Sequence, residues 1–376
     1  MNVSLPAAGA ATTAASEGHQ LLIEEGEVLV TAVFFVIALA SVCATGSSAV
    51  GTSLFWPANA IAAALLVRLR SIHWVRSSVS LFLAGVMANA LGDNESLQAA
   101  MLMSFGDVLE ILVAVYLLRS PLRMPFPEIT LPDGARLLIL LGLIIPAAGT
   151  LPGAMAAHLA YGVPLRTAAM TWYVSTVSGA VLCAPSLYLC SSQKLRRLFA
   201  RATLRRNVAI AVACLIFAYV AIRFLRYPLM WMGLPLLIGS FWIGAFGVAL
   251  LCELLGIFIV TLWWLGVRPP GMIISLHEPG VLATLPFLAL ASLNLWPVLV
   301  GLAADDRERA TRAVRANEER FRQSLRHSPL GVLIRALDGR LLLANDAFLK
   351  MLGCSREELE SLGSDQIVHP DDLEAC

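Results

Sequence analysis

Hydrophobic positions fall in ten apolar runs separated by short polar breaks: Val28 to Thr45, Ser53 to Leu69, Val75 to Leu91, Leu97 to Leu118, Leu137 to Ala160, Ala168 to Cys190, Val208 to Phe224, Pro228 to Trp242, Ile243 to Leu265 and Val281 to Ala303. A helix needs about 20 apolar residues to cross a bilayer, so the runs predict a polytopic transmembrane helix bundle of about ten spans. Eight is the alternative, if the second and eighth runs are re-entrant. The second run, SLFWPANAIAAALLVRL, is broken near its start by Trp56, Pro57 and Asn59. A proline-broken helix leaves backbone groups that lipid cannot satisfy, which points this run inward.

After Ala303 the pattern becomes densely charged, ADDRERATRAVRANEERFRQSLRHSP. Ala303, Ala310, Asn317 and Ser324 recur every seven residues with Val314 and Phe321 between them. That suits either a single charged helix or a short parallel dimeric coiled coil over 304–327. Gly331 to Leu337 and Arg340 to Ala344 read as strands joined at Asp338-Gly339. Asn345 can cap a helix through Leu352, Gly353 can end it, and Ser355 with Glu358 forms a capping box for another. The expected class is therefore mostly α: a flexible arm at 1–27, a membrane domain at 28–303, a helical linker at 304–327 and a partial α+β domain at 328–376.

Composition agrees: 58% of the 376 residues are hydrophobic and 14% charged, against about a quarter charged in soluble domains. The net charge of +1 gives no reason to expect nucleic acid. Placement of the charges says more. Arg68, Arg70 and Arg76 follow the second run, Arg119, Arg123 and Arg136 the fourth, and Lys194, Arg196, Arg197, Arg201, Arg205 and Arg206 the sixth. The intervening loops hold the acidic turn 92–95 and, as their one cation, Arg166. Basic loops stay in the cytoplasm, so an even span count places both termini there. The alternation weakens at Arg223 and Arg226, where snorkelling side chains are the plain explanation. The N-terminus lacks the basic region and apolar core of a secretory signal. The seven cysteines lie far apart and form no metal or redox motif.

From His327 to Asp372 the chain resembles the first half of a Per-Arnt-Sim (PAS) sensory domain. Ser328-Pro329 with Gly331, Asp338-Gly339, Asn345, Phe348, Leu352-Gly353, Glu358-Leu359 and His369-Pro370-Asp371-Asp372 carry the resemblance. The remaining strands of that family do not occur before Cys376, so this half is expected to be poorly stable unless the natural product is longer. Residues 28 to about 303 resemble the membrane-associated sensor domain of the MASE group, first type. The carriers are Leu54-Phe55-Trp56-Pro57-Ala58-Asn59; Asp107, Glu110 and Tyr116-Leu117-Leu118-Arg119; Trp172, Gly179 and Ala184-Pro185; and the stretch Pro228 to Val260. Where that family commonly has an aspartate three residues before the Gly179 position, this chain has Thr176. The resemblance implies a bacterial inner-membrane receptor whose output, absent from this chain, is a diguanylate cyclase, a cyclic-di-GMP phosphodiesterase or a histidine kinase.

Asp107 and Glu110 share a helix face, and intramembrane acids mark ligand, ion or proton sites or else fix helix packing. Glu253 is a third such acid. His158, Asn59 and Asn89 suit interhelical hydrogen bonds, and His158 has no partner at haem or zinc spacing. Trp56 suits an interfacial anchor as well as a ligand platform, and the charge alternation puts Trp56 and Pro57 near the outer end of their span. The basic stretch from Lys194 to Arg206 suits anionic lipid, with Leu195, Leu198 and Phe199 toward the acyl boundary. No cofactor is evident and no PAS ligand can be assigned. The leading expectation is a dimeric receptor for a small molecule, an ion or a membrane state. A secondary transporter with intramembrane carboxylates is the alternative. A membrane-embedded enzyme ranks last, for want of a catalytic cluster.

Overall fold

A computed structural model describes residues 8–45, 53–69, 72–93, 96–119, 129–267, 284–336, 340–361 and 367, with backbone alone over 8–24, at 44 and 45, and at 93 and 264. The chain divides into two units, Met1–Asp306 and Arg307–Cys376. The first is a helix bundle: α1 Ala8–Thr45, α2 Ala58–Arg68, α3 Trp74–Asp93, α4 Leu97–Arg119, α5 Leu131–Ile139, a π-helical turn Leu140–Ile144, α6 Ile145–Tyr161, α7 Leu165–Leu189, α8 Ser192–Leu198, α9 Arg201–Phe224, α10 Pro228–Trp264 and the start of α11, Leu285–His327. Among the described residues eight helices are long and apolar enough to cross a membrane, and the protein is a multi-pass membrane protein.

The structure sharpens the expected spans. Residues 8–27, expected as a flexible arm, are helical from Ala8 as part of α1. Over its described residues the second run is not a kinked helix: the chain is irregular from Ser53 and turns helical at Ala58. Its 11 helical residues rise about 16 Å, roughly half the hydrocarbon core. The eighth and ninth runs form α10, which breaks at Gly244 (φ 69°, ψ 178°), a backbone conformation that a residue with a Cβ rarely adopts. Before the break, α10 runs antiparallel to α9, since Arg206 reaches Trp242 O and Ile210 meets Gly239. After it, Glu253 meets Ser186 and Gly256 meets Leu182, antiparallel to α7. Short α8 links the end of α7 to the start of α9, so these two also run oppositely and the chain reverses at Gly244.

Three prolines inside the helices free carbonyls that bond to other helices. A proline leaves the carbonyl four residues earlier without its helical donor. Pro146 frees Gly142 O, which accepts from Tyr173 Oη at 3.0 Å, beside the π-helical turn. Pro185 frees Val181 O, which accepts from Asn294 Nδ2 at 2.9 Å. Pro297 frees Leu293 O, which meets Cys252 Sγ at 3.9 Å, so this thiol is a weak donor as well as a small apolar filler.

The second unit contains the rest of α11, antiparallel strands β1 Leu333–Arg335 and β2 Leu341–Ala344, and helices α12 Asp346–Leu352 and α13 Arg356–Ser361. The expected caps form. Asn345 Oδ1 accepts from Phe348 N at 2.9 Å, Gly353 ends α12 at φ 70°, and Ser355 and Glu358 bond reciprocally. Asn345 does more than cap: Oδ1 also accepts from Val332 N, and Nδ2 donates to Leu325 O and Leu330 O. It ties the end of α11 to both strands and to α12. The expected turn at Asp338-Gly339 and the His369-Pro370-Asp371-Asp372 motif lie outside the described residues. Along α11, Arg312 pairs with Glu308 and Arg322 with Glu318, while Val314 and Phe321 are exposed.

Candidate functional site

The irregular stretch before α2 enters the bundle alongside α7. Trp56 N donates to Ser175 O at 3.3 Å, and Ser175 Oγ donates to Ser53 O at 2.7 Å. At Gly179 an added Cβ would stand 2.2 Å from Trp56 O, so only glycine admits the chain this closely. Ser175 and Gly179 lie about halfway along α7. Trp56 and Pro57 are therefore at mid-depth of the bundle and not near an outer end. Trp56 is also buried, with its indole Nε1 bonded to Asn59 Oδ1 at 3.0 Å, so it is no interfacial anchor.

Asn59 continues the chain of bonds into α4: its Nδ2 donates to Asp107 Oδ1 at 2.9 Å. The first turn of α2 thus abuts an acid, which the helix dipole favours. Glu110, one turn further along α4 on the same face as Asp107, is equally buried. Among the described residues its Oε2 has no hydrogen-bond partner, and neither does Trp172 Nε1 on α7. Both side chains line a seam where α4 and α6 approach through glycines. An added Cβ on Gly149 would stand 2.9 Å from Glu110 Oε2, and one on Gly153 would strike the Trp172 ring. Trp56, Asn59, Asp107 and Glu110 accordingly form one junction of α2 and α4 flanked by α6 and α7.

The other candidates lie apart from it. Asn89 Nδ2 donates to Ser104 Oγ at 3.4 Å and joins α3 to α4. Glu253 accepts from Ser186 Oγ, two to three turns along α7 from Gly179 and Ser175, so it does not share the junction. His158 Nδ1 meets Val163 O at 2.7 Å, in the loop that follows its own helix, which is a local contact and not the expected bond to a neighbouring helix. Thr176 bonds to Trp172 O and Tyr173 O of its own helix. Among the described residues no group of three or more His, Cys, Asp or Glu side chains is placed to hold a metal ion.

Charged residues gather where the alternation predicts. Arg68 reaches Leu187 O and Cys190 O at the end of α7, Arg119 reaches Leu69 O, and Glu27 accepts from His73 N and pairs with Arg76. Within the basic stretch, Ser191 caps α8 through Lys194 N, and Arg196, Arg197, Arg201 and Arg205 are exposed. Arg206 lies over the Trp242 ring, 5.7 Å from its centroid. Leu195 and Phe199 face outward, but Leu198 packs inward against Gly247, so it leaves the apolar face expected for lipid. Sequence reasoning missed the roles of Ser175, Gly106, Gly149 and Gly153. The only available signal was the spacing of small residues on α4 and α6.

A MASE1 family model matches residues 27–270, the region that holds this junction. The chain belongs to the MASE1 family. A PAS domain model matches residues 319–376, after the MASE1 bundle. A probable diguanylate cyclase, DgcE, of Escherichia coli (strain K12) is 29% identical over 141 residues, covering 31% of this chain. The MASE1 chain spans about 12% of that relative's length. No solved structure matches.

Proposed function

We propose that this MASE1 protein is the input module of a bacterial inner-membrane receptor, with both termini in the cytoplasm. Its membrane bundle detects a small molecule or an ion and passes the signal along α11 to the PAS region. The observation that carries the reading is the order of parts: a membrane domain, one unbroken helix over Leu285–His327, and a PAS region in a single chain. The partial likeness to a probable diguanylate cyclase favours cyclic-di-GMP turnover over a histidine kinase as the output. Exposed Val314 and Phe321, seven residues apart on a polar helix, suit a parallel homodimer through 304–327. The Trp56–Asn59–Asp107–Glu110 junction is the sensing site, since ionisable groups buried within a membrane bundle are costly and by default mark ligand, ion or proton sites. A stimulus acts only through different affinity for two bundle arrangements.

Fusion of residues 1–376 to a diguanylate cyclase reporter tests this. Asp107→Asn and Glu110→Gln are expected to shift reporter output several-fold at unchanged membrane levels. Output that is unmoved by both removes the junction from signalling.

A further inference from the structure

Two acids close the part of α11 that belongs to the bundle, and each binds the start of a different helix. Asp306 Oδ2 accepts from Leu131 N at 2.8 Å. In the first turn of α5, Asp133 N bonds to Thr130 Oγ1, Gly134 N bonds to Thr130 O, and Pro132 has no N–H. Leu131 N is thus the one donor that the local capping box cannot serve, and Asp306 serves it. Asp305 sits on the adjacent position, about 100° round the helix, and faces another neighbour. Its Oδ2 is 3.4 Å from Ala245 N, the first amide after the reversal in α10, and its Oδ1 lies 2.7 Å from where a Cβ on Gly244 would stand.

Close packing fixes the same turn. A Cβ on Gly301 would stand 2.7 Å from Ala245 Cα, and one on Gly134 would meet Leu302 Cδ1 at 2.1 Å. From Gly301 to Asp306, α11 is therefore gripped on two sides, by the starts of α5 and of the second half of α10. Both helix starts present unsatisfied amides and a partial positive charge to the acids.

We propose that Asp305 and Asp306 form a two-sided latch that sets the position of α11 where it leaves the bundle. Rotation or axial shift of α11 then has to release Leu131 N, Ala245 N or both, so the latch converts a rearrangement of α5 or α10 into displacement of the connector. Its use in signalling rests on the receptor reading above. Its existence does not.

The test uses the whole chain in lipid nanodiscs, with spin labels at positions 193 and 314 in a cysteine-free background, and hydrogen exchange at the Leu131 amide. Asp306→Ala is expected to speed that exchange about tenfold or more and to add a second distance population between the labels. Asp306→Asn, which keeps an acceptor oxygen, is expected to restore most of both. Gly134→Val, which wedges Leu302 away without touching either acid, is expected to add the same second population. Faster exchange with an unchanged distance distribution in both variants would make Asp306 a local helix cap and overturn the latch, as would unchanged exchange. Neither readout involves a stimulus or an output, so failure of the receptor reading is scored separately by the reporter fusion.

Discussion

Two apolar helices, α2 and α9, sit at opposite extremes of burial. α2 buries Ala58, Asn59, Ala60, Ala62, Ala63, Ala64, Leu66 and Val67. α9 is more than twice as long and among its described side chains buries only Cys214, Ala218, Ala221 and Ile222, while Val208, Val212, Ile216 and Phe224 are exposed. Lipid tails are as apolar as leucine, so hydropathy does not decide which helix goes inside. Small side chains, polar groups and irregular backbone decide it, because only protein can pack against or bond them. α2 has all three, and α9 has a lipid-facing surface of branched and aromatic side chains.

Substitutions at the entry of α2 should separate the two helices most widely. Gly179→Leu forces a side chain into the Trp56 carbonyl and is expected to cost about 3 kcal/mol or more, or to prevent assembly. Val212→Leu on α9 should change stability by less than about 0.5 kcal/mol. Thermal unfolding in nanodiscs compares them, and equal effects would erase the distinction. Next in size, Asn59→Ala strips the acceptor from Trp56 Nε1 and the donor from Asp107, an expected loss of about 2 to 3 kcal/mol. In a double-mutant cycle with Asp107→Ala the two losses should not add, whereas additivity would deny the bond. Among the buried contacts the smallest loss belongs to the proline-linked bonds. Asn294→Ala should cost about 1 kcal/mol by leaving Val181 O unmet, and Pro185→Ala, which returns the helical donor, should cancel most of that loss.

Much of this bundle was legible in the sequence. The proline and asparagine of Trp56-Pro57-Ala58-Asn59 marked an inward element, because a freed backbone in lipid has few ways to be satisfied. Arg68, Arg119 and Arg76 signalled helix ends, since charge avoids the apolar interior, and their contacts lie at those ends. In the second unit the caps at Asn345, Gly353 and Ser355 came out as written, because capping is local chemistry. The depth of Trp56 did not come out, because charge alternation fixes the order of spans but not how far an irregular entry strand reaches along a neighbour. The separation of Glu253 from Asp107 and Glu110 was hidden for a similar reason: helix neighbours in a bundle are not set by order along the chain. The division of the eighth and ninth runs at Trp242 and Ile243 fell within two residues of the reversal at Gly244, although nothing in the two apolar runs marked so tight a turn.

The proposed function requires that the buried junction at α2 and α4 set the state of the connector. Disulfide crosslinking of single cysteines at 310, 314, 317, 321 and 324 tests this most directly, in a background freed of the natural cysteines and with the whole chain in its membrane. Dimer bands should peak at 314 and 321, and Glu110→Gln should redistribute them while Val212→Leu leaves them unchanged. A profile without helical periodicity, or one that ignores Glu110→Gln, would contradict the account.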